Sequence, residues 1–178
     1  MTLNLIELLG DKMEKKNISK LCQNLLNNEI QYIDLLKIAK GNDLRKAGLA
    51  LWVMSDACVI DHRFSSQYVI ELMELFQLNK SPTINRNIVK IWQEIDFKNL
   101  EDELKFSIID TCIQCLKKPD EAIAVKAYAI TTLKNSIKYT PEIIEEVSIE
   151  IEKLIPKATP AYKCRINDYF KTVNKIRK

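Results

Sequence analysis

Apolar residues recur at intervals of three and four along almost the whole chain. Leu104, Ile108, Ile109, Cys112, Ile113 and Leu116 form one stripe, and Ile143, Ile144, Val147, Ile151 and Leu154 form another. This is the spacing that puts side chains on one face of a helix, so each stripe predicts an amphipathic helix. Polar punctuation falls between the stripes: Gly41-Asn42-Asp43, Ser81-Pro82-Thr83, Lys118-Pro119-Asp120, Tyr139-Thr140-Pro141-Glu142 and Thr159-Pro160. Glycine ends helices, short polar side chains cap their starts, and proline fits the first turn, where its missing N–H would be unpaired anyway. Pattern and punctuation together predict ten helices, at 2–15, 17–27, 29–40, 42–60, 64–78, 82–95, 99–117, 120–138, 141–154 and 159–177. Links this short turn each helix back on the one before it.

Composition removes the alternatives. The 178 residues include three glycines, five prolines and one histidine. Barrels, sandwiches and doubly wound sheets need glycine at turns and phosphate loops. Three cannot supply them, and the chain reads as all-α. It is too apolar for disorder, lacks an apolar run of about 20 residues that could span a bilayer, and has no linker dividing it, so one domain over 1–178 is expected. The N-terminal stretch has an acid in its apolar run and no basic region before it, unlike a signal peptide. Five cysteines in apolar helical contexts imply a reducing, cytoplasmic setting. The net charge is +3, yet Pro156–Lys178 alone carries seven basic residues and one acid. The body before it is mildly acidic.

The second helix of each pair repeats a pattern: Leu44-Arg45…Gly48…Trp52, Ile84-Asn85…Ile88…Trp92, Val125-Lys126…Ala129…Leu133 and Tyr162-Lys163…Ile166…Phe170. The period is near 40, and Asp120–Leu133 resembles the HEAT motif. The chain thus resembles HEAT and armadillo repeat proteins. The resemblance implies an α–α superhelix, a solenoid of about five antiparallel helix pairs, with second helices on the concave side. "Ala-Val-Lys-Ala-Tyr" at 124–128 and "Ala-Tyr-Lys-Cys-Arg" at 161–165, with Pro141-Glu142 between them and Trp52 earlier, narrow the likeness to small bacterial HEAT-like proteins of unassigned role. Some of these carry the label adenylosuccinate lyase. That enzyme's Ser-Ser…Met-Pro…Lys signature is missing: Ser65-Ser66 runs into Gln67-Tyr68-Val69, and the single histidine is His62.

Candidate chemistry is sparse. His62 follows Asp61 in a turn, as a general base would, but no nucleophile stands at a recognisable spacing. Cys112-Ile-Gln-Cys115 lies deep in a helix on its apolar stripe, where thiols pack, and zinc would need a second pair. HEAT-like DNA-repair glycosylases carry a tryptophan and an aspartate one helical turn apart with an arginine on a later helix, which by analogy would be Trp52, Asp56 and Arg86. Trp52, however, falls in the repeat position of Trp92, Leu133 and Phe170, a packing position. The basic last helix reads as a solvated cap. No catalytic, cofactor or metal residue is assigned. The chain reads as a non-enzymatic scaffold docking a protein or peptide, acidic or extended, along a ridge of Arg45, Arg86, Lys126 and Lys163. The alternative is a HEAT-like DNA-binding or alkylation-repair protein.

Overall fold

The computed structural model describes residues 5–10, 14–78 and 81–178. The helices are α1 (Leu5–Leu8), α2 (Lys15–Leu26), α3 (Tyr32–Lys40), α4 (Leu44–Ile60), α5 (Val69–Gln77), α6 (Pro82–Trp92), α7 (Asp102–Lys117), α8 (Ile123–Ser136), α9 (Ile144–Glu152) and α10 (Pro160–Ile176). Short 3₁₀ turns occupy His62–Phe64, Pro141–Ile143 and Ile155–Lys157. No strand occurs among the described residues.

Three of the five punctuation marks work as side-chain caps. Asp43 accepts from the backbone N–H groups of Arg45 and Lys46 at the start of α4. Ser81 accepts from Ile84 N, with Pro82 in the first turn of α6. Thr159 accepts from Tyr162 N, with Pro160 opening α10. Each cap satisfies backbone donors that the first turn leaves open.

Several expected boundaries move by three residues or more, as at 29 to Tyr32 and 99 to Asp102, and three are instructive. The first helix stops early: Gly10 takes a left-handed backbone (φ +41°) and its N–H closes on the Glu7 carbonyl. Gly10 is therefore a stop and not a helical residue. The stretch 11–13 lies outside the described residues. The helix expected from 64 begins at Val69, because His62–Phe64 winds as a 3₁₀ turn and Tyr68 is left-handed (φ 56°). The helix expected from 120 begins at Ile123, with no side-chain cap.

The chain forms two compact units, Met1–Glu94 and Ile95–Lys178. Counting by alternation, α2, α4, α6, α8 and α10 are second helices. In the first unit α3 packs on α4, α5 packs on α6, and α2 and α6 flank α4. Leu21, Leu36, Leu51, Met54, Leu72, Ile88 and Trp92 fill the core. In the second unit α7 and α10 pack against α8, and α9 contacts α7 and α10. Ile108, Cys112, Ile130, Leu133, Val147, Ile151 and Tyr169 fill that core. Each side chain fully buried in this way stabilises the fold by about 1.5–3 kcal/mol.

Burial corrects the register of the first repeat. Ile84, Asn85, Ile88 and Trp92 are buried in α6, and Val125, Lys126, Ala129 and Leu133 are buried in the same order in α8. In α4 that order is met by Ala47, Gly48, Leu51 and Ser55, because Leu44 is 45% exposed. Ser55 is fully buried there, as Trp92 and Leu133 are, whereas Trp52 is half-buried, as Phe170 is in α10. Gly48 keeps α4 close to α6. A Cβ there would lie 3.1 Å from the Thr83 methyl, and its carbonyl accepts from Asn87 Nδ2 at 3.0 Å.

Candidate binding face on the second helices

Once Ala47, Leu51 and Ser55 are turned inward, another stripe of α4 must face out. It runs Arg45, Leu49, Trp52, Asp56 and Val59, at helical spacing, and all five are exposed or half-buried. On α6 the matching stripe is Arg86, Lys90 and Gln93, and on α2 it is Ser19 and Gln23. Lys90 reaches back across to α4, with Nζ 2.5 Å from Asp56 Oδ1. The pair floors an open cleft of about 430 Å³. Ser19, Cys22 and Gln23 of α2 form one wall, and Val59 and Ile60 at the end of α4 form the other. Val59 and Ile60 are 48% and 58% exposed, so the cleft offers aliphatic surface beside a neutralised ion pair. Burial raises the Cys22 thiol above its usual range, the Asp56 carboxylate adds to this, and Lys90 opposes it. The thiol is held protonated and acts as an apolar lining group.

The second unit repeats the device with the signs exchanged. Lys134 of α8 lies 2.8 Å from Asp168 of α10, which holds that carboxyl below its usual range. Both pairs are 34 residues apart in sequence, as are Thr131 and Arg165. Arg165 donates to the Thr131 hydroxyl and the Ala127 carbonyl, with its guanidinium 4.9 Å above the Tyr128 ring.

Charge is sorted by helix type. Among the described residues the five second helices carry thirteen basic side chains and two acids, Asp56 and Asp168. Both acids are consumed in the pairs just described. The first helices carry four basic side chains and eleven acids, four of them on α9. The mildly acidic body expected from the sequence is thus an average over two opposite populations.

The HEAT repeat domain family matches residues 5–173, nearly the full length. The chain belongs to the HEAT repeat family. No curated protein and no solved structure matches it.

In this HEAT-repeat chain the four expected ridge residues separate. Arg45 and Arg86 are exposed on neighbouring helices of the first unit, and Lys163 is exposed in the first turn of α10. Lys126 is 7% exposed, with Nζ 3.5 Å from the Pro119 carbonyl, so its ammonium turns back to its own link. The aliphatic stem of a lysine packs readily, which is why a charged letter did not reveal burial.

His62 is two-thirds exposed, with Nδ1 3.2 Å from Glu94. Asp61 does not hold it: both its oxygens take the Arg63 guanidinium, and that bond lowers the carboxyl to about 2. Cys112 and Cys115 are buried, and loss of solvent raises the first well above its usual range and the second to about 12. The thiolate that redox or metal chemistry needs is suppressed there. Among the described residues no cluster of His, Cys, Asp and Glu could hold a metal ion. No described helix is long and apolar enough to cross a membrane.

The Asp56–Lys90 pair and its cleft were missed by the sequence reading. The available signal was an acid and a base 34 residues apart on consecutive second helices, repeated with exchanged signs at Lys134 and Asp168.

Proposed function

We propose that this chain is a non-enzymatic scaffold that binds a protein partner through the outward stripes of its second helices. The observation that carries this reading is the charge sorting: thirteen basic side chains against two acids, both already paired. HEAT repeats generally mediate protein interactions, and helices of one sign within each unit steer an oppositely charged partner. Arg45, Arg86 and Lys163 are the exposed members of the expected ridge, and the burial of Lys126 takes it out of direct contact. Five free cysteines, four of them buried, suit a reducing cytoplasm. The test is affinity purification from the native cell with mass spectrometry, comparing the wild type with Arg45→Glu/Arg86→Glu and with Lys163→Glu. Partners lost from the variants support the reading. Retention of every partner by both overturns it.

A second reading, a HEAT-like DNA-binding or alkylation-repair protein, is favoured by one observation. Trp52 is half-buried on the outward stripe, one turn before Asp56, with Arg86 on the next second helix. Against it, Asp56 is already tied to Lys90. Incubation with alkylated duplex DNA decides this reading: base release that is lost in Asp56→Asn supports it, and its absence in the wild type removes it.

A further inference from the structure

Resting on the protein-binding reading, we infer that the partner is an acidic segment carrying one large apolar residue, and that this residue seats in the α2–α4–α6 cleft. Two observations within the first unit point to this, one along the three helices and one at the end of α4. The first is unanswered charge. Lys16, Lys20, Arg45 and Arg86 are exposed on these three helices, and among the described residues none of them makes an ion pair. The sole acid of the three helices, Asp56, is paired with Lys90. Arriving carboxylates therefore meet open cations on helices that carry no other acid. The second is aliphatic surface that the fold itself leaves uncovered. Val59 and Ile60 stand about half-exposed at the cleft, and Cys22, held as a neutral thiol, lines the wall opposite.

An apolar side chain covering Val59 and Ile60 would remove water from both surfaces and exclude it from around the Asp56–Lys90 pair, which strengthens the pair. Phosphates of a nucleic acid match the cations equally well, but its bases dock by stacking on rings, and the cleft lining is aliphatic and polar with no aromatic side chain. An acidic peptide supplies both halves, as interfaces do when a buried anchor is ringed by charge.

The test is selection of short random peptides by display on the purified full-length chain, followed by fluorescence anisotropy with the best peptide synthesised. Enrichment of acidic peptides with one conserved large apolar residue is expected. Binding should weaken roughly ten-fold or more for Lys20→Glu/Arg86→Glu and also for Ser19→Trp, which fills the cleft from an exposed position. Ile60→Glu, at another exposed position, is the second cleft variant should Ser19→Trp lose helical circular dichroism. Four outcomes overturn the inference: no enrichment, a neutral or basic consensus, cleft variants that bind like the wild type, or single-stranded DNA displacing the peptide at a lower concentration than the peptide itself. If these occur while Arg45→Glu/Arg86→Glu still loses its cellular partner, the scaffold reading stands and only the acidic-segment inference fails.

Discussion

Lys90 Nζ lies 2.5 Å from Asp56 Oδ1, joining consecutive second helices across 34 residues of sequence. The two side chains are 20% and 31% exposed, enough burial to reduce screening but not enough for a large desolvation cost. Removing either partner leaves the other charge half-buried beside an apolar cleft. Asp56→Ala and Lys90→Ala should each destabilise, and the double variant should cost less than the sum, with a coupling of about 1 kcal/mol. Urea denaturation of the four proteins measures this, and strict additivity would show that the pair contributes nothing.

Gly48 gives a prediction with two opposing terms. Alanine in a helix interior is favoured over glycine by about 1 kcal/mol. The new Cβ would press on the Thr83 methyl at 3.1 Å. Gly48→Ala should therefore be nearly neutral in the wild type and stabilising by about 1 kcal/mol in a Thr83→Ala background, where the methyl is gone. Gly48→Leu should lose about 1–3 kcal/mol through overpacking between α4 and α6. Thermal melts of these variants separate the two terms.

The cysteines should differ sharply in reactivity. Cys164 is exposed, whereas Cys22, Cys58, Cys112 and Cys115 are buried. Burial raises Cys58 and Cys115 to about 12. At pH 8 roughly one part in ten thousand of such a thiol is ionised. A disulfide-exchange reagent at pH 8 should label one thiol promptly in the folded protein and five after denaturation. Rapid labelling of Cys112 or Cys115 in the native state would contradict the packed, chemically silent role given to them.

Asp61 titrates near 2 because the Arg63 guanidinium and backbone N–H bind its carboxylate. A carboxyl lowered on folding adds stability that is present above its unfolded value near 4 and is lost as pH falls toward 2. Carboxyl NMR titration should place the wild-type midpoint below that of Arg63→Gln, which loses the guanidinium but keeps the backbone N–H bond and so moves only part of the way back toward the unfolded value. An unchanged midpoint in the variant would show that Arg63 is not the cause.

The helix count, the caps at Asp43, Ser81 and Thr159, and the core stripes of α7 and α9 were legible in the sequence. The register of α4 was not. A shift from Leu44 to Ala47 is three residues, nearly one helical turn, so both registers present an apolar stripe on similar faces. The packing of α4 against α3 and α6 selects Ala47, and that choice turns Trp52 outward. Lys126 was equally hidden, because one letter cannot say whether a lysine extends its ammonium into water or folds it back to Pro119.

The sequence by itself determined an all-helical repeat fold, because periodicity and capping are local properties of each segment, whereas the sorting of charge by helix type emerged only once the helices were bounded and paired. Only the tertiary structure decided which charges meet. Asp56 with Lys90, and Lys134 with Asp168, depend on how far each helix is rotated against its neighbour, and that rotation is fixed by core packing many residues away.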